Sequence, residues 1–212
     1  MGVGAACPWQ YVAFAGSSFI TTNAAKYGST LTQSSILKIV NDASSSSPND
    51  ENGIYIVITS NDIKVNGFNT GKIQFCGWHS STGTGPTARK YAFVGDPANA
   101  TLCQGQAAYT PNGNVGADSM ASILIHEIEE ATTDPLLNAW WSSTTTGNEN
   151  ADKCAWTWGA TKGSTALYNY SWNYTNTLTT PNYLIQQEFM LGTKSNTSTA
   201  TKDIFSGTCA LS

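Results

Sequence analysis

A continuous run of apolar, mostly β-branched residues at positions 54–60 is the strongest strand signal in the chain. Runs of this type are characteristic of strands buried on both faces of a sheet. Four further segments show shorter apolar runs or strict alternation and are also predicted as strands: residues 72–75, 91–94, 168–174 and 183–189. The intervening segments rich in Ser, Thr, Asn, Gly or Pro predict loops: residues 44–52, 83–86, 142–150 and 193–202.

A helical period replaces the strand pattern at residues 119–134. Asp118 and Ser119 are suitable N-cap residues and Pro135 is a stop signal, so one helix of roughly four turns is predicted. Five residues share one stripe of this helix at about 100° per residue: Met120, Leu124, Glu127, Ile128 and Ala131. A shorter amphipathic helix is predicted at residues 31–40.

These elements predict an α/β (α+β) fold in which a mixed sheet carries a central helix. A chain of 212 residues can bury one sizeable core. We therefore expect a single domain over residues 1–212, with residues 1–50 as its N-terminal portion.

Composition narrows the classes of partner. The net charge is −4 and the sequence pI is near 5.0, which argues against nucleic acid or an anionic membrane as a partner. No apolar run reaches the ~18 residues that a membrane span needs. The five cysteines form no CxxC pair, and three sequons permit N-glycosylation at Asn99, Asn173 and Asn196. Together these features favour a secreted, extracellular setting, although no signal peptide is visible.

The helix at residues 119–134 concentrates the scarce charge of the chain. Four of the 14 acidic residues and one of the two histidines lie within the nine positions from His126 to Asp134. Glu127 falls inside the apolar stripe itself. A carboxylate at a core boundary is costly unless a metal, a buried cation or a hydrogen-bond network compensates it.

The sequence His126-Glu127-x-x-Glu130 has the spacing of the zinc-binding helix of zincins. Residues at i and i+4 face one metal ion, and the residue at i+1 lies where it can activate a water molecule. Glu130 replaces the usual second histidine, and an oxygen ligand lowers the discrimination against calcium or manganese. The candidates for a third ligand are Asp134, Glu149, Asp152 and His79. Asp134 precedes a proline and is better explained as a turn residue.

The alternating aromatic residues at 168–174 have two interpretations. They could form a platform on which sugars stack. A packed face of a sheet is the more common use of such a pattern, and tyrosine hydroxyls suit a half-wet position.

Several motifs in order resemble the phosphate-induced (EXORDIUM) family of secreted proteins. They are residues 54–62, Cys76-Gly-x-His79, residues 91–95, Cys103-Gln-Gly-Gln106, residues 111–118 and the ending at residues 205–209. The segments His126–Pro135, Asn138–Trp140 and Asp152–Cys154 are similar to a non-plant branch of that family. The resemblance implies disulfides Cys76–Cys103 and Cys154–Cys209, and it leaves Cys7 to a partner outside this chain. It also implies a link to the cell wall.

A looser similarity to metzincin-type peptidases favours a zincin-like fold. Our leading hypothesis is a metal-dependent hydrolase, a peptidase, with zinc bound by His126 and Glu130 and by Glu149 or Asp152. Glu127 would be its general base. The rival hypothesis is a non-catalytic wall protein that binds glycans or assembles with copies of itself.

Overall fold

The computed structural model describes residues 13–18, 20, 24–45, 50, 52–85, 87–105, 110–140, 149–160, 174–175, 182–196 and 199–210, with the backbone alone for 174–175 and 190–207. The helices are α1 Ala24–Tyr27, α2 Gln33–Ser44 and α3 Val115–Thr133. The strands are β1 Ile54–Thr59, β2 Gly77–Ser81, β3 Lys90–Gly95, β4 Tyr174–Thr175, β5 Asn182–Tyr183, β6 Glu188–Asn196 and β7 Thr199–Ala210.

The central sheet is mixed and has the strand order β1–β3–β2. β3 runs parallel to β1 and antiparallel to β2. β3 is the buried strand, whereas β1 lies at an edge and leaves Ile58 54% exposed. The prediction that residues 54–60 are buried on both faces was therefore wrong, because a β-branched run signals strand propensity and does not fix a place in the sheet.

One strand prediction and one loop prediction also need correction. Residues 72–75 form no strand, and the second partner of β3 is β2, whose sequence Gly-Trp-His-Ser-Ser lacks an apolar run. The segment 193–202 is not one loop, since β6 and β7 pair antiparallel from Glu188 to Ala210. Threonine suits strands as well as loops, so a Thr-rich segment allows both. Of the predicted strand at residues 183–189, Tyr183 lies in β5, residues 184–187 form no strand, and residues 188–189 begin β6. Most of 168–174 lies outside the described residues.

Helix α3 begins about one turn earlier than its sequence pattern indicates. Asn114 is the N-cap and accepts a hydrogen bond from Ala117 N at 3.1 Å. Asp118 lies inside the helix, and its carboxylate accepts hydrogen bonds from Asn112 N and from the Asn112 side chain. The caps at Asp118 and Ser119 are thus wrong, because Asn is as good an N-cap residue as Asp or Ser. Helix α2 matches its prediction and extends to Ser44.

The hydrophobic core lies between the sheet and the helices. Phe68 and Phe93 are fully buried and meet edge to face, with ring centroids 5.7 Å apart. Helix α3 packs on β3 and β2. The disulfide Cys76–Cys103 joins the start of β2 to the turn that follows β3. This arrangement fixes the helix that carries the charged residues against the strand that carries His79.

Gly77 sets how closely α3 approaches β2. A Cβ atom at this position would lie 2.5 Å from Oε1 of Glu127 and 2.8 Å from Cγ2 of Ile123. Real Cβ atoms do not approach other atoms so closely, so only glycine permits this contact. The absence of a side chain at Gly77 therefore makes room for the Glu127 carboxylate beside the strand.

The structure confirms the α+β class, the mixed sheet and the disulfide bonds, which pair Cys76 with Cys103 and Cys154 with Cys209. The zincin-like fold and the extent of the domain stay predictions. In the described ranges, no helix has the length and apolar character to cross a membrane. Cys7 lies outside those ranges.

Candidate metal centre

Three elements bring ionisable side chains to one cavity. Helix α3 provides His126, Glu127 and Glu130. The segment after residue 148 provides Glu149 and Asp152, and β2 provides His79. These side chains line a cavity of about 220 Å³ together with Gly77, Trp78 and Leu137.

His126 contacts two carboxylates in this cavity. Its Nε2 atom lies 3.0 Å from Glu130 Oε1 and 3.5 Å from Asp152 Oδ1. Burial alone would lower the pKa of His126, but the carboxylates of Glu130 and Glu127 outweigh that effect and raise the pKa to about 10. The protonated ring thus partly compensates the carboxylates when no other cation is bound.

His79 is the second histidine that contacts two carboxylates. Its Nε2 atom lies 2.9 Å from Glu149 Oε1 and 3.9 Å from Glu130 Oε2. The side chain of His79 is almost fully buried, and its Nδ1 atom has no hydrogen-bond partner among the described residues. The polar contacts that place this ring are therefore those of Nε2 with the two carboxylates.

Glu127 is the most deeply buried acid of the cavity, with 2% of its surface exposed. Its Oε2 atom lacks a hydrogen-bond partner within the described part of the chain. Burial raises the pKa of Glu127 well above its usual value, and the nearby Glu130 and Glu149 carboxylates raise it further, against the opposing effect of His126. The predicted compensation problem at Glu127 is thus present in the structure, since no hydrogen-bond network there satisfies its carboxylate.

Gln186 orients the ring of His126 through its Nδ1 atom. Its Oε1 atom lies 3.1 Å from His126 Nδ1, its Nε2 atom donates to Ala151 O at 2.9 Å, and its backbone N donates to Ser122 Oγ. Because the amide nitrogen is committed to Ala151, Oε1 is the atom that faces His126. This contact holds a proton on Nδ1 and points Nε2 into the cavity, which is the orientation of histidines in known metal sites.

Sequence reasoning missed Gln186, because the pattern of residues 183–189 favours the wrong face. Leu184, Gln186 and Glu188 are buried, whereas Ile185 and Gln187 are less so. The sequence places most apolar residues of this segment on the opposite face, at Tyr183, Ile185 and Phe189. Local alternation therefore gives no signal for a buried glutamine here.

A second layer of carboxylates lies behind the cavity. Glu129 accepts a hydrogen bond from Asn150 Nδ2 at 2.9 Å, and Asn150 Oδ1 in turn accepts one from Phe189 N. Burial raises the pKa of Glu129 to about 7 and that of Glu188 to about 9. Both oxygens of Glu188 lack a hydrogen-bond partner among the residues described. This layer ties the segment at residues 149–151 to α3 and to β6.

A disulfide anchors the segment that carries Glu149 and Asp152. Asp152–Cys154 forms a single 3-10 turn, and Cys154 is bonded to Cys209 of β7. The sequence suggested that a disulfide at Cys154 would fix this segment, and the structure contains that bond.

Asp134 stays out of the cavity. It is the C-cap of α3, and its Oδ1 atom accepts hydrogen bonds from Asn138 N and Ala139 N at 2.6 and 2.7 Å. Its interpretation as a turn residue agrees with this geometry.

Among the sequons, Asn99 is exposed at the end of a 3-10 turn, Asn173 lies outside the described residues, and Asn196 is described by its backbone alone. Glycosylation of these residues stays a prediction.

The donor atoms have the spacing of metal ligands. Donors about 2.0–2.2 Å from one zinc ion lie roughly 3–4 Å from one another. The sets His126, Glu127, Glu130 and His79, Glu130, Glu149 each place one donor atom per residue within 4.8 Å of the others. Imidazole and carboxylate donors suit Zn²⁺ or Mn²⁺. The predicted ligands His126, Glu130, Glu149 and Asp152 thus converge, and their role as ligands stays a prediction.

Fold and site together define a disulfide-bonded α+β domain with a buried cluster of histidines and carboxylates. The family described as phosphate-induced protein 1 conserved region matches residues 11–177, well over half of the chain. The chain therefore belongs to the phosphate-induced, EXORDIUM-like family, as its motifs indicated.

Two relatives from Arabidopsis thaliana show the extent of the similarity. Protein EXORDIUM-like 3 is 36% identical over 138 residues, which cover 55% of this chain and 40% of the relative. Protein EXORDIUM-like 5 is 30% identical over 161 residues, which cover 65% of this chain and 43% of the relative. The matched part thus spans about two fifths of the length of these relatives. No solved structure matches the chain.

Proposed function

We propose that this protein is a metal-dependent hydrolase of the peptidase type, with zinc as its metal. The observation that carries the proposal is the pairing of a buried, unpaired carboxylate, Glu127, with the donor set of His126 and Glu130. His126 and Glu130 would hold the ion, because their donor atoms lie 3.0 Å apart, and Asp152, 3.5 Å from Nε2 of His126, would be the third ligand. The extracellular setting is part of the same proposal and is supported by the two disulfides.

A bound zinc ion supplies a Lewis acid that polarises a carbonyl group and activates a water molecule. The chain itself would provide the general base, Glu127. Glu127 lies one position along the helix from His126, lines the same cavity and has no competing hydrogen-bond partner on Oε2 among the described residues. A carboxyl group whose pKa is raised by burial can take up a proton at neutral pH, which is the property of a general base that later acts as an acid.

Apolar groups at the cavity favour an organic substrate. Trp78 and Leu137 line it beside the charged residues. Leu137 is 53% exposed and has a φ of 57°, a left-handed conformation that bulky residues rarely adopt. Backbone strain of this kind is concentrated at functional sites. In this proposal Leu137 would contact a side chain of the substrate.

The test separates turnover from metal binding. Glu127→Gln should lower hydrolysis of a quenched-fluorescence peptide pool by at least about a hundredfold, the range of a lost general base, while the zinc content stays unchanged. Asp62→Asn, an acid-to-amide change at an exposed residue of a turn, is the matched control and should keep full activity. Undiminished turnover in Glu127→Gln would reject the role of Glu127, and a wild-type chain without metal would reject the proposal.

A glycan-binding wall protein is the second candidate, and one observation favours it. Trp156 is 41% exposed, has a φ of 60° and lies over Gly105, where no side chain would fit. An exposed indole held in this way could stack on a sugar ring. Retention on immobilised cell-wall polysaccharide that Trp156→Ala abolishes and Glu127→Gln leaves intact would support this candidate over the hydrolase.

A further inference from the structure

We propose that the cavity holds two divalent cations bridged by the carboxylate of Glu130, a proposal that rests on the metal site proposed above and adds a second ion to it. The first position lies at His126 and Glu130, with Asp152 3.5 Å from Nε2 of His126. The second is formed by His79, Glu149 and the other oxygen of Glu130. Zn²⁺ or Mn²⁺ fits both, because each position offers one imidazole and two carboxylate donors.

The distances form two separate sets around the two histidines. Nε2 of His126 lies 3.0 Å from Glu130 Oε1 and 3.5 Å from Asp152 Oδ1. Nε2 of His79 lies 2.9 Å from Glu149 Oε1 and 3.9 Å from Glu130 Oε2. All four separations fall within the roughly 3–4 Å expected between ligands of one ion. One donor atom each of His79, Glu130 and Glu149 lies within 4.8 Å of the others, and the same holds for His126, Glu127 and Glu130. Each histidine thus has a donor set that can hold an ion, and Asp152 adjoins the first set through its contact with His126.

Glu130 connects the two sets through different oxygen atoms. Oε1 faces His126 and Oε2 faces His79. The residue is 4% exposed, and its two oxygens face imidazole nitrogens on two different elements. A carboxylate that bridges two ions satisfies both oxygens, and ions in two-metal hydrolase sites lie about 3.5–4 Å apart.

The charge of the cavity also favours two ions. The acidic residues that line it are Glu127, Glu130, Glu149 and Asp152, and no lysine or arginine lies among its described lining residues. One divalent cation would leave an excess of negative charge in a largely buried space if all these groups were ionised. Two divalent cations would balance them.

His79 contacts carboxylates of two different elements through one ring nitrogen. Its side chain is almost fully buried, and its Nε2 atom faces Glu149 and Glu130. An imidazole and two carboxylates that converge in this way form a donor set that suits Zn²⁺ or Mn²⁺. The contacts of Nε2 are those that a shared ion would organise.

The test counts ions bound by the full chain and its variants. Chelator-treated protein is titrated with Zn²⁺ by calorimetry, and the zinc retained after desalting is measured by elemental analysis. We expect two equivalents in the wild type and one each in His79→Asn and His126→Asn. Glu149→Gln is a second route to removing the His79 position if His79→Asn does not fold.

A readout that requires both ions complements the count. Co²⁺ in the two positions should give an electron paramagnetic resonance signal that is weakened by coupling through the carboxylate bridge. In His79→Asn the uncoupled signal of a single Co²⁺ should appear.

The outcomes separate this proposal from the mononuclear one. One equivalent in the wild type that survives in His79→Asn and is lost in His126→Asn would overturn the second position and leave the hydrolase proposal standing. One equivalent lost in both variants would show a single shared ion and would also overturn it. No bound zinc at all would overturn both proposals.

Discussion

The two ends of helix α3 bury acidic residues in opposite ways. Near the start, Asp118 is 1% exposed and accepts hydrogen bonds from Asn112 N, the Asn112 side chain and Asn114 N. Near the end, Glu127 is 2% exposed and keeps an oxygen without a partner among the described residues. The two carboxylates are equally buried, but the free-energy cost of burial differs between them. Only Asp118 has exchanged its hydrogen bonds to water for hydrogen bonds to protein donors.

This difference separates a structural acid from a candidate ligand or base. The loop before α3 supplies the donors of Asp118, so its carboxylate stabilises the fold without help. The later part of α3 brings Glu127 and Glu130 to a cavity that Glu149 and Asp152 also line, and two histidines are the other ionisable side chains among its lining residues. A cation is the natural complement of the second arrangement, and mutations at the two ends should separate stability from metal binding.

Metal-dependent stability should show the largest effect. A ligand at a hundred times its Kd stabilises the native state by about 2.7 kcal/mol, which for a chain of this size raises Tm by roughly 5–10 °C. We expect zinc to raise the Tm of the wild type by this amount and Glu130→Gln to abolish the rise. Differential scanning calorimetry with and without chelator measures it. An identical rise in Glu130→Gln would place the metal elsewhere.

A variant at the start of the helix should lose stability but keep the stabilisation by zinc. Asp118→Ala leaves buried donors unpaired and should destabilise the protein by about 2–3 kcal/mol, a loss of roughly 4–12 °C in Tm. The increase in Tm on adding zinc should persist, because Asp118 does not line the cavity. Leu102→Ala, at an exposed position, is the control for a harmless truncation. Loss of the zinc effect in Asp118→Ala would show that the two ends of α3 are not independent.

Gln186 offers a smaller and more selective test. Gln186→Ala removes the acceptor that orients His126, and such supporting contacts are worth about 10–100-fold in metal affinity. Gln187→Ala is the neighbouring control, since Gln187 does not contact His126 among the described hydrogen bonds. Calorimetric titration with zinc gives both affinities. Equal affinities in the two variants would mean that Gln186 does not position the ligand.

The buried acid layer should produce a modest pH effect in the metal-free protein. Burial raises the folded-state pKa of Glu188 from 4.5 to about 9, so the folded state holds a proton that the unfolded state releases. The unfolded state binds fewer protons between these values, and the stability of the wild type should fall as pH rises from about 4.5 to 9. Glu188→Gln should remove part of this fall and raise Tm at pH 8 by a few degrees. A parallel pH profile in both proteins would contradict the assignment.

Part of the site could be predicted from sequence because it depends on local periodicity. The position of Glu127 in the apolar stripe predicts its burial, and the spacing of His126 and Glu130 predicts a shared face of one helix. The sequence also names Glu149 and Asp152 as candidate ligands, and the resemblance to the family implies a disulfide at the nearby Cys154. These inferences need only the geometry of one helix and one returning segment.

The rest depends on pairing between distant segments, which local patterns do not encode. β2 has too few apolar residues to be predicted as a strand from the sequence. Its pairing with β3 nevertheless brings His79 close to Glu130. Gln186 reaches His126 across 60 positions of sequence. Gly77 is informative only once α3 is seen to pack on it. The edge position of β1 likewise follows from the strand order and not from its β-branched residues.

The most direct test of the account is the metal content of the purified chain. The account predicts at least one divalent transition-metal ion per chain by elemental analysis, removed by a chelator and absent when His126 and Glu130 are both replaced by alanine. A folded chain that carries no such ion and takes up none on incubation with zinc would contradict it. The buried carboxylates of α3 would then need an explanation other than a metal centre.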